Sequence, residues 1–395
     1  MLDSIVQFLI KYKYIILFYT AIILFLIIKH KKIDVQAKII FLYRMKWGLK
    51  WMDKYSRKLR EWIILAGYIG VGAGFVGLVV ISIILIKNLI DYFTTDLAVS
   101  GAAIVYPGMN VPGLGILTFW DWILAIFIIA LVHEFSHGIV ARAHNIEVKN
   151  TGIVLFGPIL GAFVEPDEKK MRKEPDIKQY SVLAAGSFSN IILAAVAILL
   201  LNFVFVPILH NMVEPAGFTF NQHVGKEFPF AKAGIKPGEV ITGINGVVTN
   251  DFQKFSEELV YLKPGEKVTI NTNTDSYKII LAENPDNARK SFLGIKEIKN
   301  EIEVKTKFRS GFNQLLYLTV DWLTGFLRWL FLLSFGIGLF NLLPLPIVDG
   351  GRMAQVFLYK LKGASIGEKR YKQVSLFFLI LLLFNLFLPL LGKLV

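Results

Sequence analysis

Long apolar runs dominate this chain, and shorter polar or basic stretches divide them. Six runs approach the ~20 residues a helix needs to cross a bilayer. They span roughly 10–28, 62–86, 119–140, 181–209, 322–343 and 374–391. The first is the weakest, because Lys11 and Lys13 at its start must snorkel to water. Residues 308–321, just before the fifth run, read as an interfacial helix. Two further stretches break the helical pattern. Residues 150–165 are short, apolar and turn-rich around Gly157-Pro158, which predicts two extended arms dipping into the membrane with a free strand edge. Residues 217–305 are more polar and read as a separate β-rich segment. Within it a strand leads into the turn dipeptide Asn245-Gly246, a helix follows over 252–262, and another strand over 266–271.

Composition sharpens this picture. Of 395 residues, 54% are hydrophobic, and the mean hydropathy is +0.55, values of a polytopic membrane protein. No basic segment precedes the first apolar run and no small-residue cleavage site follows it, so a cleavable signal peptide is not expected. The net charge of +13 comes largely from alternate inter-span segments, near 29–60, 142–178 and 352–372. Alternate basic loops place all three on the cytoplasmic side, with both termini, residues 91–118 and the polar 217–305 segment outside. The excess is thus read as an orienting and lipid-contacting charge. A nucleic-acid partner is not expected, since the largest basic loop abuts two spans and aromatic interleaving is weak.

The candidate chemistry sits in the third run, at His133-Glu134-Phe135-Ser136-His137. On a helix, positions i and i+4 share one face, so both imidazoles can reach one metal ion while Glu134 reaches a water beside it. Three ionisable groups within hydrocarbon are costly, which makes them a functional hypothesis. His133 lies fourteen residues after Phe119, or ~21 Å along a helix, and so nearer the cytoplasmic face. With no Cys in the chain, a metal there depends on His, Asp or Glu. His144 shares the helix face but lies ~10 Å beyond His137, too far for the same ion. Asp349 is the better third ligand: Pro344 and Pro346 break the fifth run, and Gly350-Gly351 permit a tight bend or close approach. Glu165 ranks below it. His30, His144, His210 and His223 read as surface or interfacial residues.

These motifs resemble the site-2 protease family of intramembrane zinc metalloproteases. The resemblance rests on His133-Glu134-xx-His137, on Asn341 through Asp349-Gly350-Gly351, on Gly186-Ser187-Phe188-Ser189-Asn190, on the glycine-rich 152–165 segment and on a 217–305 segment that looks like an inserted PDZ domain. It covers roughly 120–353; the first ~115 residues match no family motif. It implies a polytopic α-helical membrane protein of about six transmembrane helices with an inserted β-rich PDZ-like domain. The divisions would be 1–118, a two-span region with a basic cytoplasmic loop; 119–209, the catalytic spans; 210–307, the extracytoplasmic PDZ-like domain; and 308–395, the spans carrying the Asp motif. His133, His137 and Asp349 would bind Zn2+, Glu134 would be the general base, and Asn341 and Asn190 would position substrate or stabilise the oxyanion. The substrates would be transmembrane proteins or peptides within the lipid bilayer, cut in regulated intramembrane proteolysis; the oligomeric state is left open. Two other readings remain: a non-catalytic receptor or adaptor that binds peptide tails, and a zinc transporter.

Overall fold

The computed structural model describes residues 2–36, 39–94, 104–111, 114–157 and 159–391. In chain order, helix α1 (Leu2–Lys29) leads through a 3₁₀ turn to strands β1 (Ile33–Gln36) and β2 (Ile40–Met45), then to a short helix α2 (Leu49–Lys58) and the long helix α3 (Arg60–Thr94). A small hairpin, β3 (Asn110–Val111) and β4 (Gly115–Ile116), precedes α4 (Phe119–Ala143). Thr118 caps α4 reciprocally: its Oγ1 accepts from the Asp121 N–H at 3.2 Å and donates to the Asp121 carboxylate at 2.7 Å. Strands β5 (Val148–Phe156) and β6 (Ile159–Pro166), a single turn α5 (Glu168–Met171) and helix α6 (Asp176–Leu200) follow. One π-helical turn (Leu201–Phe205) continues α6 into α7 (Val206–Met212).

Among the described residues, six helices are long and apolar enough to cross a membrane, and the protein is a polytopic membrane protein. Their exposed apolar residues, such as Leu17 and Ile28 on α1 and Val76 on α3, fit contact with hydrocarbon. The chain divides into two compact units, Met1–Leu201 with Thr324–Val395, and Asn202–Leu323.

The first unit packs around Met52, Val71, Val140, Ala141, Val182, Ala184, Leu342 and Met353, which join α2, α3, α4, α6 and the C-terminal part of the chain. It also holds an antiparallel sheet of order β1-β2-β5-β6. The expected arms at 150–165 are therefore only half of a sheet; Pro158, expected at the centre of their turn, lies outside the described residues. The basic segment near 29–60, read as a loop, supplies the other two strands and α2. The reason lies in β2, where Ile40, Phe41, Leu42 and Tyr43 can pair with the apolar β5 while Arg44 forms ion pairs. Arg44 Nε donates to Glu165 Oε1 at 3.0 Å, its guanidinium also meets Asp34 at 2.9 Å, and Asn150 donates to Glu165 at 2.9 Å.

The second unit is β-rich. Its elements are α7, β7 (Val213–His223), α8 (Pro229–Ala233), β8 (Ile241–Ile244), β9 (Val247–Val248), α9 (Phe252–Val260), β10 (Lys267–Thr272), β11 (Ser276–Ile280), β12 (Ala282–Asn284), β13 (Asn287–Phe292) and β14 (Ile295–Val304). The main sheet runs β11-β10-β8-β7-β14, with β9 paired to β8. Asn245 and Gly246 take φ of 51° and 81°, the two positive values a tight hairpin turn needs. Phe218, Phe220, Phe230, Phe255 and Ile270 form a core of its own, so the segment expected to be PDZ-like is a separately packed β-rich unit.

Helix α10 (Gly311–Phe340) and helix α11 (Asp349–Leu391) complete the chain. Two expectations are corrected here. Residues 308–321 do not form a separate interfacial helix, because α10 runs unbroken from Gly311. The last helix starts at Asp349 instead of near 374, and its polar first half is interrupted at Gly363 (φ 76°).

The hydrogen bonds from Arg44 hold the Glu165 carboxyl below the usual carboxylate range, against the opposing effect of burial. A carboxylate with a lowered folded-state pKa contributes stability above its unfolded value, ~4.3, and loses it as pH falls through the lowered value. Arg44→Ala is expected to reduce stability by roughly 1 kcal/mol, because the pair is partly solvated. The Arg44-dependent part of the stability should disappear in acid. Thermal unfolding of the parent and the variant across a pH series checks both.

Candidate metal centre and comparisons with known proteins

The α4–α6 contact builds the site. His133 and His137 stand one turn apart on α4, with ring centroids 4.8 Å apart. Gly186 on α6 lies directly against them: a Cβ there would overlap Nε2 of both rings, so no other residue lets α6 come so close. Each ring is then fixed from behind. His137 Nδ1 lies 2.7 Å from the Val182 carbonyl oxygen, and His133 Nδ1 lies 3.1 Å from the Asn190 side-chain amide. The Asn190 backbone is itself held, since Ser334 of α10 donates to its carbonyl at 2.8 Å.

Asp349 arrives from the turn between α10 and α11. Leu342, Leu343, Leu345 and Val348 bury that turn, and the Gly350 N–H donates to the Asn341 carbonyl at 2.7 Å. Gly350 and Gly351 pack on the backbone of Leu342 and Leu345, where any side chain would collide. Asp349 Oδ2 thereby reaches 3.1 Å from His133 Nε2 and 3.3 Å from His137 Nε2. The two Nε2 atoms are 3.2 Å apart. Among the described residues, His133, His137 and Asp349 form the group of side chains whose ligand atoms converge closely enough for one ion.

That triangle is itself a test of fit. Ligands about 2.0–2.1 Å from a tetrahedral zinc stand about 3.3 Å from one another. His137 has its Nδ1 engaged by the Val182 carbonyl, so its neutral ring directs the Nε2 lone pair at the carboxylate oxygen, and His133 turns its Nε2 to the same point. The donor set, two imidazoles and one carboxylate, is one that suits zinc and leaves a position open.

The other expected site residues fall as follows. Glu134 lies on α4 beside the ligands, and its Oε2 accepts from the Val164 N–H of β6 at 3.0 Å. Asn341 is half-buried and contributes its carbonyl to the Asp349 turn. Asn190, expected at the substrate, is instead fully buried behind His133, because its place on α6 one turn after Gly186 turns it toward the ring. Glu165 belongs to the Arg44 ion pair, away from the ligands. His144, read as a surface or interfacial residue, is buried at the end of α4, 3.1 Å from Ser181 Oγ.

Sequence reasoning did not identify three contributors: the Val182 carbonyl, the Val164 N–H and the steric gap at Gly186. The first two are backbone groups that any residue supplies. Gly186 did carry a signal, since it opens the Gly-x-x-x-Asn stretch.

The family model for "Peptidase family M50" matches residues 121–386, about two thirds of the chain, including every residue of the triangle. The chain belongs to peptidase family M50. This agrees with the site-2 protease resemblance of the motifs. Among relatives of this M50 protein, an uncharacterized protein of Methanocaldococcus jannaschii is 29% identical over 249 residues, which is 61% of this chain and 58% of that protein's own length. A putative zinc metalloprotease of Nostoc sp. is 25% identical over 340 residues, covering 66% of this chain and 91% of that one. Among solved structures, the PDZ domain of an SdrC-like protein from Listeria monocytogenes is 23% identical, covering 20% of this chain and 86% of that one, with a TM-score of 0.19.

Gly186→Ala tests the close contact. Alanine favours helix, so α6 should persist, while the added methyl group displaces both rings. We expect unchanged helical content by circular dichroism and at least a tenfold loss of zinc affinity, comparable to losses when groups that orient metal ligands are removed. Metal titration of the purified M50 protein checks it.

Proposed function

We propose that this chain is an intramembrane zinc metalloendopeptidase of the site-2 protease type, cutting peptide bonds in or near transmembrane segments of other membrane proteins. The observation that carries the reading is the placement of Glu134: one turn of helix α4 holds two imidazoles against Asp349 and directs the intervening carboxylate at the edge of β6.

His133, His137 and Asp349 would hold the zinc. When bound, zinc supplies Lewis acidity for the scissile carbonyl and for the attacking water. The remaining tasks fall to the chain itself. Glu134 Oε accepts a proton from the attacking water and returns it to the leaving peptide nitrogen. The Val182 carbonyl keeps the proton of His137 on Nδ1, so that its Nε2 faces the centre, and the Asn190 side-chain amide nitrogen, at Nδ1 of His133, holds that ring in place. Asn341 positions the substrate backbone near the Asp349 turn.

The substrate must also be unwound, because a helix hides its carbonyls in i to i−4 hydrogen bonds. β6 is an edge strand of its sheet. With the Val164 N–H turned toward Glu134, the alternation of a strand turns Ala162 and Leu160 to the same edge. A substrate segment that pairs there is extended and stands beside the base. The site lies toward the cytoplasmic end of α4, with the PDZ-like unit extracytoplasmic, where it binds peptide or excludes bulky ectodomains.

Two measurements test the proposal. Glu134→Gln is expected to retain about one zinc per chain and to lose at least 10²-fold in cleavage of a reconstituted transmembrane substrate, the scale of general acid–base catalysis; turnover equal to the parent's would refute the assigned base. Asp349→Ala is expected to release zinc to a chelator that leaves the parent loaded. Equal retention in the two proteins would remove Asp349 from the ligand set.

A further inference from the structure

Helix α2 presents one face that is largely exposed among the described residues of its unit. Trp47, just before it, is followed by Lys50, Trp51, Lys54, Tyr55 and Lys58, a spacing of three and four residues that lines up along one side of a helix. Trp47 and Trp51 are each 65% exposed and Tyr55 is 38% exposed. The three lysines are exposed as well. The opposite side is fastened down. Met52 and Ser56 are buried, Met52 fills the notch at Gly138 of α4, and Asp53 accepts from Arg142 of α4 at 2.5 Å. The acid of this helix is thus turned inward, and the outward face carries only cations, rings and their apolar stems.

We propose that this face of α2 docks on anionic phospholipid headgroups at the membrane surface. Charge and position argue for that occupant. The helix is tied within a few residues to α3, which begins at Arg60, and through the β1–β2 hairpin to α1, and both helices qualify as spans. Its outward face therefore lies at the level where a bilayer offers phosphate. Interleaved tryptophan and lysine is the composition that settles there, with rings among the headgroups and ammonium groups on the phosphates. A soluble acidic partner would have no use for two exposed indoles set at bilayer level. The docking face also bears on the catalytic helix: Trp47 packs edge-on against Phe135, between the two histidines, with ring centroids 5.7 Å apart. The docking claim stands apart from the proposed protease activity, and its test does not read cleavage.

The chain contains no cysteine, so Tyr55→Cys gives a single labelling site for a polarity-sensitive fluorophore. The labelled full-length protein is placed in nanodiscs of phosphatidylcholine alone or mixed with phosphatidylglycerol. The expected result is a blue-shifted emission with phosphatidylglycerol that reverts as salt is raised, since exposed charges are screened over about 8 Å at physiological ionic strength. Adding Lys50→Gln, Lys54→Gln and Lys58→Gln should abolish the difference between the two lipids. Identical emission in both lipids overturns the proposal, as does a shift that survives the three glutamines. Should the triple variant fail to fold, the salt series on the Tyr55→Cys protein decides: a shift insensitive to salt overturns it.

Discussion

The architecture of the site depends on a side chain that is absent. At Gly186, helix α6 offers bare backbone to the two imidazoles of α4, and that contact sets everything around it. It brings the Val182 carbonyl to one ring and the Asn190 amide to the other. It also leaves a space in front of the rings that Asp349 enters from the turn between α10 and α11. Membrane interiors reward such contacts, since helices there associate through close packing and hydrogen bonds in place of a hydrophobic drive. Here the packing advantage and the chemical requirement coincide on one residue.

A second constraint is the cost of charge. A buried imidazole pair facing a carboxylate is unfavourable unless each group has partners. The chain supplies those partners from several directions: backbone of α6, side chain of α6, and the β6 edge for Glu134. Away from the spans, the sheet follows the same rule, with Arg44, Asp34, Asn150 and Glu165 satisfying one another.

Much of this was legible in the sequence, for identifiable reasons. The His133–His137 pair was readable because a four-residue spacing on a helix converts directly into a shared face. Asp349 was readable because Pro344, Pro346, Gly350 and Gly351 interrupt an apolar run just where a polar residue appears. Asn245-Gly246 gave its hairpin for the same local reason. The sheet partners of β5 were not readable. β1 and β2 lie more than a hundred residues away from β5, within a segment whose lysines dominated its reading, and strand pairing is decided by contacts that no local pattern records. Asn190 was assigned to the substrate because a motif marks importance without direction; only the crossing of α4 and α6 shows that it faces a ring. Backbone donors and acceptors such as Val164 and Val182 leave no trace in side-chain chemistry at all.

The hydrogen bond between Glu134 and Val164 has one further consequence. It pins the carboxylate to a particular rung of β6, so any strand zipped onto that edge has its bonds numbered from the same origin. On the proposed reading, such a device would measure offset along a backbone and be indifferent to the side chains it counts. An enzyme with this ruler would accept unrelated sequences and still cut each at a fixed distance from where its helix comes undone.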